Sequence, residues 1–271
     1  MNKTENLLRE KYADPAKEEG RFTETRSAGE EAYYTKKILH EFIRPNSRVL
    51  EVGCATGHYA LHFAAHCAEY VGLDIIPEQI ALFQEKIKRN GLANVRALVG
   101  DATRLDGIAD ESFDVVCCLG PMYHLPPERR AQVFAQCHRV CKSGGIAAFA
   151  YISTLGVYAG GCALFGEEYP SALANQNLLL ESRDDLRPDL FFFATPQEME
   201  QTAAKQGFAK LKNLGTDFFV MARAINQMDD EKFALYRPLA DALASDEACT
   251  GMSNHALLVC IKNQTELEES P

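Results

Sequence analysis

One ten-residue stretch constrains this chain more than any other: Val49-Leu50-Glu51-Val52-Gly53-Cys54-Ala55-Thr56-Gly57-His58. Val49, Leu50 and Val52 read as the end of a buried strand. Gly53 and Gly57 allow a sharp backbone turn that can approach a ligand with no Cβ in the way. A helix is expected to start near His58. Strand, glycine turn and helix in that order point to an α/β architecture with a ligand seated at the turn.

Turns of this kind commonly hold a phosphate on the N–H groups that open the following helix. Glu51 argues against a phosphate, because a carboxylate two residues before the first glycine repels a pyrophosphate and attracts an ammonium group, directly or through water. A zwitterionic ligand is therefore expected. Asp74 closes the run Tyr70-Val71-Gly72-Leu73-Asp74 after a short helix over Tyr59 to His66, at the tip of a second strand. An acidic residue about twenty positions beyond such a turn typically accepts hydrogen bonds from ribose hydroxyls, and Ile75 beside it is assigned to the same site. Asp101 ends a third strand in the segment Val95 to Ala102 and is suited to an adenine amino group.

Together these residues resemble the class I methyltransferases that use S-adenosylmethionine. The resemblance runs from Arg48 to about Ile152. Glu51, Gly53 and Gly57 match the family's first motif in VLEVGCATG, with Ala55 where a glycine is more usual. Asp74 matches the ribose-binding acid, Asp101-Ala102 the adenine-side pair, and Phe113 to Gly120 (FDVVCCLG) the fourth motif. Leu119 to Leu125, LGPMYHL, looks like a form found in a bacterial subgroup whose substrates are mostly small molecules. The resemblance implies a cofactor site of Glu51, Gly53, Ala55, Gly57, Asp74, Ile75, Asp101, Ala102, Leu119 and Gly120. It also implies S-adenosyl-L-methionine as cofactor and S-adenosyl-L-homocysteine as product.

A chain of 271 residues can hold one α/β domain with insertions. Its formal net charge of −10 gives no basic footprint for a long nucleic acid, so a small-molecule substrate is favoured. No signal-peptide pattern stands near the N-terminus and no apolar run reaches membrane-helix length, so neither a membrane partner nor a location outside the cytoplasm is expected. The nine cysteines sit mostly in apolar contexts and read as reduced hydrophobes. Cys137, His138 and Cys141 lack a second pair at zinc-like spacing, and no metal is expected.

Residues 1–45 are read as an N-terminal tail and cap helix, with Met1 to Gly20 loosely docked and a helix over Glu30 to Phe42 covering the cofactor. The resemblance implies that this helix lies near the methionine part of the cofactor, which makes Tyr33 and Tyr34 candidates for contact with it, or packing residues. Residues 46–271 are read as the methyltransferase domain, with insertions at about 153–194 and 216–254. Helix signals follow at Pro77 and Pro127, strands over Val95 to Val99, Phe113 to Leu119 and Ile146 to Ile152, and a capping box at Thr195 and Glu198. The expected fold is a Rossmann-like doubly wound sheet, mostly parallel, with helical cap insertions. Strands over Ala209 to Leu214 and Ala256 to Ile261 finish it, and the resemblance implies that they form a C-terminal antiparallel hairpin. The acidic end, Thr265 to Pro271, is expected to fray.

Methyl transfer from a sulfonium is an in-line displacement that needs positioning and exclusion of water, with a base only where the acceptor must lose a proton. His124 and Tyr123, after the fourth strand, are the candidates for direct chemistry, with pocket shaping as the alternative. His255 either faces the substrate or ends a surface loop, and His58 and His62 are read as structural. The aromatic residues Tyr158, Phe165, Tyr169 and Phe191 to Phe193 form either a lid over an apolar acceptor or a satellite core or dimer contact. A homodimer therefore stays open. Arg183 and Arg187 stay unassigned. Two other functions compete: an NAD-dependent oxidoreductase, disfavoured by Glu51 and by the lack of a G-x-G-x-x-G run, and a non-catalytic S-adenosylmethionine-binding module.

Overall fold

In the computed structural model, which describes residues 3–263, a seven-stranded sheet runs in the order β3-β2-β1-β4-β5-β7-β6. The strands are β1 (Arg48–Val52), β2 (Glu69–Asp74), β3 (Val95–Val99), β4 (Phe113–Cys118), β5 (Cys141–Ile152), β6 (Phe208–Gly215) and β7 (His255–Lys262). Strands β1 to β5 are parallel, and β7 inserts antiparallel between β5 and β6. The doubly wound sheet expected from the sequence is present, with the antiparallel pair at its C-terminal edge.

The helices are α1 (Lys3–Tyr12), α2 (Pro15–Gly20), α3 (Arg26–Leu39), α4 (His58–Phe63), α5 (Pro77–Arg89), α6 (Pro127–Val140), α7 (Thr154–Leu164), α8 (Ala172–Ala174), α9 (Pro196–Lys205), α10 (Ala222–Asn226) and α11 (Asp230–Leu243). Both faces of the central strands are buried, as near-continuous apolar strands require, while the edge strands β3 and β6 are partly exposed. Leu50, Val52, Val71, Leu73, Val116 and Cys118 pack one way against Phe134 and Phe149, while Val49, Tyr70, Val115 and Cys117 pack the other way against Phe63 and Phe83. No described helix is long and apolar enough to cross a membrane. The expected fraying of Thr265 to Pro271 lies outside the described residues.

One expectation needs correction, and two open alternatives are resolved. Met1 to Gly20 is not a loose tail where described: α1 and α2 dock over the C-terminal ends of the strands. Asp14 caps α2 by accepting from Ala16 N–H at 3.1 Å, and Thr25 caps α3 by accepting from Ala28 N–H at 3.2 Å. Tyr33 is exposed, and Tyr34 turns away to pack with Ile225 and Tyr236, its hydroxyl donating to Asp241 at 3.0 Å, so neither lines the crevice at the strand ends. The aromatic residues of the first insertion form a satellite core: Tyr158, Tyr169, Phe191 and Phe193 gather behind Tyr123 and Ile152, and Phe165 is exposed.

The capping box of α9 is present in full. Thr195 Oγ1 accepts from Glu198 N–H at 3.2 Å, and Glu198 Oε2 accepts from Thr195 N–H at 2.7 Å. Thr195→Ala removes the first of these bonds, and we expect it to lower the unfolding free energy by about 1 kcal/mol in chemical denaturation, with the sheet unchanged. No loss, or loss of the sheet, would contradict the assigned cap.

Candidate functional site

The parallel strands end on one side of the sheet, where a crevice of about 430 Å³ opens between their carboxyl ends and the N-terminal helices. Glu51, Gly53, Ala55, Asp74, Ile75, Asp101, Ala102, Leu119 and Gly120 line it, together with Tyr123 and His124. Gly57, also expected there, does not. Its φ is +82°, and a Cβ would stand 2.2 Å from the Phe83 ring, so the glycine lets α5 pack beneath the turn. Gly53 has φ +79°, and its missing Cβ makes room for Pro121 at 2.4 Å. Ala55 also adopts a left-handed φ of 44°, which accounts for the glycine more usual at that position.

Glu51 is the unusual charge. It lies between Gly72 and Cys117 on neighbouring strands, almost wholly buried, and its hydrogen bond is from Tyr70 Oη to Oε2 at 2.9 Å. Burial raises its pKa from the ordinary 4.5 to about 8, opposed by the Tyr70 hydrogen bond and assisted by Asp74. Asp74 binds the turn: Oδ2 accepts from Ala55 N–H and Oδ1 from Ile76 N–H, each at 2.9 Å. Burial also raises its pKa, against the opposing effect of those backbone donors. Each oxygen keeps a lone pair for a further donor. Asp101 similarly fixes its loop by accepting from the N–H and hydroxyl of Thr103 at 2.8 Å.

The roof of the crevice comes from residues that the motif reading missed: Leu8, Tyr12, Glu18, Glu19 and Arg21. Gln79 Nε2 donates to the Tyr12 carbonyl at 2.7 Å, and Lys86 Nζ joins Glu19 at 2.7 Å to the Thr56 carbonyl at 2.9 Å. Arg21 Nη2 donates to both Glu31 oxygens, at 2.9 and 2.7 Å. The amphipathic character of Leu7-Leu8 and Tyr12 was the only available signal, and it was diluted by the charges around it.

His124 and Tyr123 are buried beside the crevice. The Leu190 carbonyl can only accept, so the 2.9 Å contact assigns the proton to His124 Nδ1 and leaves the Nε2 lone pair to accept from Tyr12 Oη at 3.1 Å. Burial lowers the His124 pKa to about 4. Both ring nitrogens are therefore committed, and the ring is a weak base. Tyr123 Oη donates to the Leu119 carbonyl at 3.4 Å, and burial pushes its pKa up to about 12. His58 lines the crevice, its pKa lowered to about 4 chiefly by burial, whereas His62 faces His40 at 2.8 Å on the surface. Arg183 pairs with Glu181, and Arg187 lies 5.1 Å over the Phe191 ring.

Residues 49–145 match a family described as a methyltransferase domain. The chain is 32% identical over 102 residues to the uncharacterized methyltransferase YcgJ of Bacillus subtilis (strain 168), covering 38% of this chain and 39% of that protein. It is 30% identical over 170 residues to the malonyl-[acyl-carrier protein] O-methyltransferase of Methylococcus capsulatus, covering 62% of this chain and 54% of that protein. The chain thus spans about half or less of the length of these curated relatives. The crystal structure of Bacillus subtilis YcgJ shares the fold with a TM-score of 0.55 at 20% identity, covering 86% of this chain and all of that one. A SAM-dependent methyltransferase structure from Methanosarcina mazei does so at 0.56 and 15% identity, covering 84% and 98%. Residues 49–145 are thus similar to a methyltransferase domain, and the fold is shared with solved methyltransferase structures.

The raised Glu51 pKa gives a signed prediction for the ligand-free protein. The folded state holds this proton more tightly than the unfolded state, so the stability it contributes is fully present below about pH 4.5 and is lost as pH rises through about 8. Glu51→Gln removes that dependence while keeping an acceptor for Tyr70. The unfolding free energy of the variant should therefore gain on the wild type by a few kcal/mol between pH 5 and pH 9. A difference that stays flat with pH would show Glu51 to titrate normally.

Proposed function

We propose that this chain is an S-adenosylmethionine-dependent methyltransferase acting on a small-molecule acceptor. The observation that carries the reading is the buried Glu51 carboxyl group beside a glycine turn, which has no cationic partner among the described residues and is suited to pairing with an ammonium group. Two further polar atoms of crevice residues, Gln79 Oε1 and His58 Nε2, are buried without a hydrogen-bond partner among the described residues, as suits a ligand with several polar groups. The residues present therefore fit the cofactor. Its amino-acid end would lie near Glu51 and Gly53, its ribose near Asp74, and its adenine near Asp101-Ala102 and Leu119. When bound, it supplies an electrophilic methyl group on a sulfonium.

The chain's own residues then bind, orient and exclude water. Tyr12, docked by Gln79 and His124, covers the crevice, and Pro121 holds Leu119-Gly120 against Gly53. We assign His124 to holding Tyr12, because proton removal by Nε2 would first require that hydrogen bond to break. Tyr123 shapes the wall toward the acceptor. A nucleotide with a pyrophosphate, as in NAD, would meet the Glu51 carboxylate at the turn. The LGPMYHL segment favours the small-molecule subgroup, and the acidic chain disfavours nucleic acid.

S-adenosylmethionine and S-adenosylhomocysteine should bind with micromolar dissociation constants or tighter in calorimetry, and NAD should not bind. Asp74→Ala should weaken binding about 10- to 100-fold through loss of charge-assisted hydrogen bonds. Preference for NAD, or unchanged affinity in a folded Asp74 variant, would refute the cofactor assignment or the ribose position respectively.

A further inference from the structure

A second chamber of about 240 Å³ lies next to the cofactor crevice, and Arg21 and Glu31 line both spaces. Its wall also carries Asp217, which follows β6, and Asn254 and His255 at the start of β7. Four separate parts of the chain bring these polar side chains together. The His255 N–H donates to Asp217 Oδ1 at 2.7 Å, and His255 Nδ1 stands 2.8 Å from Asp217 Oδ2 and 3.7 Å from Glu31 Oε2. Asn254 Nδ2 also lies 2.9 Å from Nδ1 and 3.5 Å from Asp217 Oδ2. An ionised carboxylate can only accept and its contact with Nδ1 is the shorter, charge-assisted one, so the proton of the neutral imidazole sits on Nδ1 and the Asn254 amide donates to the same carboxylate. The lone pair is then on Nε2, for which there is no hydrogen-bond partner among the described residues. The side chain is 16% exposed. Its ring lies 5.9 Å from that of Tyr123, a wall of the cofactor crevice.

This arrangement contrasts with His124, whose two nitrogens are both engaged. Resting on the methyltransferase reading above, we propose that the second chamber belongs to the acceptor site and that His255, oriented by Asp217, removes the proton of an acceptor O–H or N–H. In that step a lone pair on the acceptor atom forms the bond to the methyl carbon, and the carbon–sulfur bond breaks with its electrons passing to sulfur. The acceptor proton goes to His255 Nε2 and later to solvent. One positive charge thus passes from sulfonium to imidazolium.

The surroundings suit the cation that forms. Against the single guanidinium of Arg21 stand the carboxylates of Glu18, Glu31 and Asp217. Glu30, also in the chamber wall, is paired with Arg237 at 2.9 Å, and Tyr123 faces the ring as a neutral phenol. Burial would lower the His255 pKa, but Glu31 and Asp217 outweigh both burial and Arg21 and hold it above the ordinary imidazole value of 6.5. His255 is then a stronger base than a free histidine, and turnover should rise with pH through a limb above 6.5.

The test uses the full chain with tritium-labelled S-adenosylmethionine and a cellular small-molecule extract, following label transfer against pH. The nitrogen-15 spectrum of His255 is recorded with S-adenosylhomocysteine bound. We expect the Nδ1–H tautomer with Nε2 bare. His255→Gln should slow labelling about 100-fold or more at neutral pH, while S-adenosylhomocysteine affinity stays within about twofold. Asp217→Asn, which keeps His255, should move the acid limb to lower pH. An Nε2–H tautomer in the wild type, labelling by His255→Gln at the wild-type rate, or an unmoved limb in Asp217→Asn would overturn the proposal. Failure of the wild type to bind S-adenosylhomocysteine would instead strike the cofactor reading on which it rests.

Discussion

The carboxylate of Glu51 is the constraint around which the rest of the site is arranged. It projects from the central strand β1 into a face otherwise built from Val49, Tyr70, Val115 and Cys117, where water cannot solvate it. A buried charge normally stays only where a partner compensates it, and one phenolic hydrogen bond is poor compensation. Proton uptake relieves the cost in the ligand-free protein, as the raised pKa records. An ammonium group would relieve it differently, by restoring the charge and pairing it. In this view the energetic burden of Glu51 becomes selectivity for a cationic amino-acid head over a phosphate.

The sheet makes that selectivity directional. Because β1 to β4 are parallel, their carboxyl ends bring Glu51, Asp74, Asp101 and Leu119 to one rim, and Asp74 ties two segments together by holding Ala55 and Ile76. The roof is fastened differently. Docking of α1 and α2 relies on Tyr12 with Gln79 and His124, and on Glu19 with Lys86, polar contacts that individually contribute little beside the buried core. Arg21 and Glu31 line both the larger crevice and the smaller chamber that holds Asp217 and His255.

The sheet was legible because its signals are local. Apolar runs, Pro at the first turns of α5 and α6, and the Thr195–Glu198 box each mark an element within a few residues. The rim of the crevice was legible for the same reason, since strand ends carry its acids. What escaped depends on tertiary contact. The polar N-terminal segment reads as loose because its order comes from docking onto Gln79, Lys86 and His124 rather than from a hydrophobic stripe. At Gly57 only the Phe83 ring beneath the turn reveals a packing role. His124 stands in the motif and His255 does not, yet distant partners decide their chemistry: Tyr12 and Leu190 occupy the first, while Asp217 orients the second.

The central claim, that Glu51 is the counter-charge for the cofactor's ammonium group, is most directly tested by counting protons on binding. Calorimetric titration with S-adenosylmethionine at pH 7, in buffers of different ionisation enthalpy, measures proton exchange alongside affinity. Because Glu51 has a pKa of about 8 in the ligand-free protein and a cation beside it favours ionisation, binding should release a substantial fraction of a proton. Glu51→Gln should bind more weakly and lose that release. Proton exchange that is the same in the wild type and in Glu51→Gln would contradict the account.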